Sequence, residues 1–390
     1  MKIGIITLYL NNKNFGGILQ AFALQKVISE FGIQCEQLCY KQTESSLKQK
    51  IKTGSQYRSL SQNILIVIKK VSAVLLRKIT ASSIDGLTRN RTHRFNEFEK
   101  MIPHSHEVYD VSNIKKAVEV YDGFVAGSDQ VWNGGVDLPA YTLGFVPESK
   151  IKISYAASSA GSFYGKWQTE VLKKNLDKMS AISVRENSLK TKLESITNKS
   201  VDLVLDPTLL LSRDQWECIA ETPEIDEKYI LCYFLGDSRK NRKTAASIAK
   251  MYNAKILTFP YIIGNTFRIC DRSFGDIRDF SSGPKEFLGL IKNAEAVCTD
   301  SFHAVVFSVV FQKEFFAFPR FKEKSGSSNN RLTDFMTELN LQDRMLQDEQ
   351  IPHMQAIDYN EVDSIISNMR KDSINWLKKS LHCSSESFYD

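Results

Sequence analysis

Short apolar runs alternate with longer amphipathic ones along most of the chain. Residues Lys2 to Leu8 are apolar and β-branched with little alternation, the pattern of a strand buried on both faces of a parallel sheet. A polar, glycine-bearing stretch from Asn11 to Gly17 leads into helical spacing over Ile18 to Lys26, and Cys35 to Cys39 reads as the next strand. Together they predict a right-handed β-loop-α-β unit. Residues 42–110 are polar, rich in Lys and Ser and helical in pattern, and read as an insertion lying over the sheet. Strands resume at Tyr121 to Ala126, Lys152 to Ala156, Ala181 to Val184 and Val201 to Leu205. The polar stretch Glu221 to Lys228 reads as a linker. Beyond it come a strand at Tyr229 to Leu235, a helix at Arg239 to Tyr252 and a strand at Ala254 to Phe259. The series then continues with a helix at Pro284 to Asn293, a strand at Ala296 to Thr299, a helix at His303 to Phe311 and a strand at Glu314 to Phe318. The repeated alternation predicts an α/β protein of two Rossmann-like, doubly wound domains facing a cleft, 1–220 and 221–390, with a C-terminal helix packing back on the first.

Composition supports this picture. A chain of 390 residues exceeds one ordinary core, and 42% hydrophobic with 25% charged residues suffices to fill two. With 51 Lys and Arg against 45 Asp and Glu, and no arginine-rich arm, nucleic acid is not expected as a partner. The start of the chain lacks the features of a signal peptide, and no run reaches the roughly 18 apolar residues of a membrane span, so a cytoplasmic location is expected. The stretch Ile64 to Ile79 is a basic amphipathic helix in pattern. It suits either packing on the core or peripheral contact with the inner membrane face. Seven cysteines, an odd count without CxxC spacing, read as reduced core residues, and no metal is expected.

In doubly wound sheets ligands bind beyond the carboxyl ends of strands, so the loops there carry the candidate chemistry. Asn14-Phe15-Gly16-Gly17 precedes a helix whose free amides favour an anion, though a glycine pair also serves a plain tight turn. Gly127-Ser128-Asp129-Gln130-Val131-Trp132-Asn133 crowds hydrogen-bonding groups and a carboxylate onto one strand end, the alternative being a turn with Asp129 as helix cap. In Ser183-Val184-Arg185-Glu186, Arg185 is placed to grip a phosphate or carboxylate, or to pair with Glu186 at the surface. His303, in Thr299-Asp300-Ser301-Phe302-His303-Ala304, falls in the first turn of an apolar helix, where an imidazole is a candidate proton donor or acceptor. The cationic loop Arg320 to Arg331 reads as a mobile lid or as a solvated loop.

Taken in order, these blocks resemble the polysaccharide pyruvyl transferase family. The likeness also includes Tyr155-Ala156-Ala157-Ser158-Ser159, Leu205-Asp206-Pro207-Thr208 and Asn330-Arg331, and spans roughly residues 3 to 340. It implies a GT-B-like enzyme of bacterial surface polysaccharide biosynthesis. Such an enzyme moves pyruvate from phosphoenolpyruvate, a co-substrate and not a cofactor, onto two hydroxyls of a sugar as a ketal. By the same likeness Arg185 and His303 contact phosphoenolpyruvate. Many members carry Arg-Leu-His where this chain has Ser301-Phe302-His303, so a cation is missing and Arg331, Lys322 or Lys324 is expected to supply it.

On this reading the donor is held by Arg185, His303, Arg331, Lys322, Ser301 and the helix start at Gly16 and Gly17. His303 and Asp129 are the acid and base, in either order. Asn14, Gln20, Trp132 and Asn133 hold the acceptor, a sugar that a lipid diphosphate is expected to carry. A GT-B glycosyltransferase using a nucleotide sugar, or an inactive homologue binding a sugar or anion, fits the same alternation of elements.

Overall fold

The computed structural model describes residues 1–42, 86–159, 161, 164–222, 224–263, 266–320, 329–346 and 355–382. The basic stretch Ile64 to Ile79 and the loop residues Lys322 and Lys324 lie outside the described residues.

The first apolar run forms β1 (Lys2–Ile6), followed by α1 (Phe15–Glu30) and β2 (Gln34–Tyr40). With β3 (His104–Tyr109), β4 (Gly123–Ala126), β5 (Ile151–Ala157), β6 (Ala181–Val184) and β7 (Asp202–Leu203) they make a parallel sheet in the order β3-β2-β1-β4-β5-β6-β7. The expected insertion over residues 42–110 is therefore corrected at its end. Residues 86–99 are helical, but 104–109 join the sheet as its edge strand. The sequence His-Ser-His-Glu-Val-Tyr conceals this because an edge strand keeps its polar side chains in water.

The second sheet contains β8 (Tyr229–Tyr233), β9 (Lys255–Thr258), β12 (Ile277–Arg278), β13 (Ala296–Thr299) and β14 (Glu314–Ala317), all parallel, in the order β12-β9-β8-β13-β14. A short hairpin, β10 (Ile262–Ile263) with β11 (Thr266–Phe267), stands between β9 and β12 in the chain.

Each sheet reverses its direction of winding once, the first between β1 and β4 and the second between β8 and β13. At such a switch point neighbouring loops diverge to opposite faces and leave a crevice. The loops after β1, β4, β8 and β13 are thus the ones that topology opens to a ligand.

The two sheets share packing. Phe15, at the first position of α1, stacks on Phe287 at 4.4 Å and 5°, and also meets Tyr233 and Phe259. One apolar cluster consequently runs from Ile3 and Val125 to Phe287, Val297 and Phe315. The last described helix, Tyr359–Ser380, leaves the second sheet and lies against the first: Ser373 Oγ accepts from Leu205 N, Trp376 Nε1 donates to Asp202, and Arg370 Nε donates to Leu209 O.

A buried charge cluster as candidate active site

The helix Phe302–Val310 is apolar apart from His303 and Ser308 and buried throughout, as a helix enclosed by the core must be. Its capping residue Ser301 makes no side-chain cap, and the Ser301 amide donates instead to Thr299 Oγ1 at 3.0 Å. This start fixes His303 directly against α1. A Cβ built on Gly16 would lie 1.9 Å from His303 Nδ1, so only glycine admits the imidazole there. Gly17 plays a different part from the expected one. Its amide donates to Asn14 Oδ1 at 3.1 Å, so the cap takes up a group the sequence offered to an anion, and Asn14 is engaged as the cap of α1.

The centre of the cluster is Asp206, which is buried. One carboxylate oxygen shapes the chain, accepting from the Thr208 amide at 3.0 Å and the Thr208 hydroxyl at 2.6 Å to cap the turn Pro207–Leu209. The other faces the site, pairing with Arg185 Nη1, lying 3.3 Å from Ser128 Oγ and 3.7 Å from His303 Nε2. Burial opposes the charge on Asp206, but Arg185, His303 and the Thr208 hydroxyl outweigh it and hold the carboxyl well below its ordinary range.

Arg185 is not the open clamp that its place at a strand end suggests. Its guanidinium is buried, donates to Asp129 Oδ1 at 2.9 Å as well as to Asp206, passes 3.7 Å from Glu186, and lies over the Phe302 ring at 4.6 Å. Burial works against its charge, yet the three carboxylates hold its pKa above the ordinary value. Glu186 is itself buried and accepts from Ser158 Oγ. Desolvation pushes its carboxyl up, against the pull of Arg185 and Arg331.

Arg331 differs from Arg185 in having no committed partner. It is buried at the start of the helix Asn330–Glu338, within electrostatic range of Arg185, Glu186 and Asp129, and makes no hydrogen bond to any described residue. Burial, then repulsion by Arg185, pushes its guanidinium down to about 10. His303 Nε2 is likewise buried without a hydrogen-bond partner. The cluster thus joins residues of both sheets: Asp129, Arg185 and Asp206 from the first, Phe302, His303 and Arg331 from the second.

The glycine-led loop after β4 is only partly as expected. Asp129 is not a helix cap; it has a φ of 65° and is zipped to the end of β5, its carbonyl accepting from the Val131 and Ser158 amides. That pinning turns Trp132 inward. The indole is fully buried and donates to Tyr141 O at 3.0 Å, so Trp132 is a core residue and offers no face to a sugar. Gln20 is corrected for the same reason: its amide donates to Thr7 Oγ1 and Gly17 O and accepts from the Ser128 amide, which spends its capacity on the fold. Asn133 is half-buried and closes its own turn by accepting from the Gly135 amide. Ser301 is buried beside the site.

Asp300, which the sequence quoted only as a neighbour of His303, joins the two loops of the second switch point. Its carboxylate accepts from the Leu235 and Gly236 amides, both at 2.7 Å, and Arg320 Nη2 donates to its backbone carbonyl. Burial pushes this carboxyl up, offset in part by Arg320 and the two amides. Among the described residues no group of three His, Cys, Asp or Glu is placed to hold a metal ion, and no helix is long and apolar enough to cross a membrane.

Fold and site together define a GT-B-like α/β protein whose two domains meet over a buried cluster of arginine, histidine and carboxylate. A family model described as polysaccharide pyruvyl transferase matches residues 14–320, and the chain belongs to that family of transferases. The sequence finds no match among curated proteins. Among solved structures, UDP-GlcNAc 2-epimerase from Methanocaldococcus jannaschii in complex with UDP-GlcNAc and UDP is 13% identical, covering 98% of this chain and 100% of that one at a TM-score of 0.52. Another structure of the same enzyme is 12% identical with the same coverage and a TM-score of 0.51. The S. aureus MnaA-UDP co-structure is 14% identical, covering 100% of this chain and 99% of that one at 0.47. At such identity the likeness to the two M. jannaschii structures shows the GT-B-like fold alone.

Proposed function

We propose that the protein transfers pyruvate from phosphoenolpyruvate to two hydroxyls of a sugar, forming a cyclic ketal, in the synthesis of a surface polysaccharide. The observation that carries this reading is the buried Arg331 guanidinium, hydrogen-bonded to no described residue, in a cluster where His303 Nε2 also makes no hydrogen bond. A buried cation that makes no hydrogen bond is costly, and an anionic ligand that accepts one lowers the cost. Phosphoenolpyruvate brings two anionic groups, which matches a site where Arg185 is balanced by Asp206 and Asp129 while Arg331 and His303 remain available.

In this reading the methylene carbon takes a proton, one sugar hydroxyl attacks the cationic carbon so formed and loses its proton, and phosphate departs as the second hydroxyl closes the ring and loses its proton. His303 is the proton donor or holds the phosphate. Asp129 is the base, with Oδ1 occupied by Arg185 and Oδ2 accepting no hydrogen bond from a described residue. The acceptor belongs to the saccharides, carried on a lipid diphosphate at the inner membrane face.

A thermal-shift titration with phosphoenolpyruvate, inorganic phosphate and UDP-galactose tests the reading. Stabilisation by phosphoenolpyruvate should exceed that by phosphate and be lost in Arg331→Met. Stabilisation by UDP-galactose alone would replace pyruvyl transfer with glycosyl transfer, and no preference for phosphoenolpyruvate over phosphate would remove the donor assignment.

A further inference from the structure

Trp132, Gln20, Asn133 and Asn14 are all committed to the fold, which leaves the acceptor without a seat among them. A cavity of about 300 Å³ opens at the carboxyl ends of β1 and β2, walled by residues 7–12 and 40–42 and by Tyr141. We infer that this cavity receives a pyranoside ring of the acceptor, with Lys41 favouring an anionic substituent; the assignment to the acceptor rests on the pyruvyl-transfer reading.

Its size lies at the lower end of the roughly 300–1,000 Å³ typical of small-ligand sites. Its lining suits a sugar, with half-buried Leu8 and Leu10 for the apolar face and amides and a hydroxyl for the alternating hydroxyls. The Tyr40 and Tyr141 rings meet edge to face at 5.6 Å and 84°. The Tyr141 hydroxyl is buried and accepts from Gln42 Nε2 at 3.4 Å, while its own proton has no acceptor among the described residues. Asn12 spends its amide nitrogen on Leu8 O at 2.7 Å and keeps its oxygen for a donor. Lys41 is exposed and is the one charged residue among the described residues on the wall, with Asp110 in electrostatic range of it and Asp137 bonded to Tyr40.

Shared walls tie the cavity to the cluster. Thr7 donates to Ser128 O at 2.8 Å, and Ser128 Oγ lies 3.3 Å from Asp206. On the other side, Asn12 abuts the backbone of Gly17, and the adjacent Gly16 meets His303. Through Thr7 the cavity adjoins the loop that carries Asp129, and through Asn12 it adjoins the start of the helix against which His303 packs.

The test is saturation-transfer difference NMR on the full chain with methyl β-glucuronide, methyl β-glucoside and glucosamine as probes, with the phosphoenolpyruvate thermal shift recorded on the same samples. The glucuronide should give the strongest transfer. Gln42→Ala should reduce it at least threefold, and Lys41→Ala should abolish the preference over the glucoside; both positions lie at the rim, where substitution spares the core. Absence of transfer from all three probes, or transfer unchanged in both variants, overturns the assignment. A phosphoenolpyruvate shift that persists while sugar transfer ignores Gln42 and Lys41 removes this inference alone. Sugar transfer that depends on both residues without any phosphoenolpyruvate shift keeps a saccharide site and removes the donor reading.

Discussion

Replacing Asp206 with Asn tests whether one carboxylate holds the site together. The substitution keeps the size of the side chain and an oxygen for Thr208, and removes the charge that faces Arg185 and His303. Removing one partner of a buried ion pair costs about 3–5 kcal/mol because the other charge is stranded. Arg185 retains Asp129 at 2.9 Å, so the lower end, about 3 kcal/mol, is expected at pH 7. The pH dependence follows from the depressed folded-state pKa of Asp206. A carboxylate depressed on folding contributes stability that is present above its unfolded pKa, near 3.9, and is lost as pH falls towards the folded value. Between pH 5 and pH 3 the gap between wild type and Asp206→Asn should therefore narrow by about 1 kcal/mol. Urea unfolding followed by tryptophan fluorescence at pH 7, 5 and 3 measures both quantities, since Trp132 and Trp216 are fully buried. A loss below about 1 kcal/mol at pH 7, or a gap that stays constant down to pH 3, would refute the account of Asp206 as the charged centre.

Gly16→Ala should cost about 1–3 kcal/mol and dislodge His303, because the new methyl occupies the imidazole's place; retained stability by urea unfolding together with full transfer activity would contradict that contact. Trp132→Ala should lower stability by about 3–5 kcal/mol, as expected for emptying a buried indole site, and circular dichroism melts set against those of Asn133→Ala separate this from a surface contact. Burial, with the charge of Asp334 adding, pushes the carboxyl of Glu338 up to about 7. The folded state then binds the extra proton between about pH 4.5 and 7, so stability falls as pH rises through that window, and Glu338→Gln should remove roughly 2 kcal/mol of that fall when Tm is compared at pH 5 and pH 8.

The order of strands and helices was legible in the chain because fully buried parallel strands and buried helices leave apolar runs, as in Ile3 to Ile6 and Ala304 to Phe307. The edge strand His104–Tyr109 was not, since a strand with one side in water carries the polar pattern of a loop. Motif order pointed to the family and to His303, Arg185, Asp129 and Arg331, and the fold brings these four together with Asp206. What the sequence by itself determined was which residue types stand at the ends of which strands. Which of them are spent on the fold was decided only in three dimensions. Trp132 sits in the loop that carries Asp129 and Gln20 in the helix that meets His303, but the Asp129 bridge to β5 and the Ser128 amide hold both in the interior. Arg185 and Arg331 are the same residue type near the same carboxylates, and only packing shows that Asp206 and Asp129 occupy the first and leave the second open. A residue's type fixes the hydrogen bonds it can make, and its neighbours across the chain fix which of them remain for a ligand.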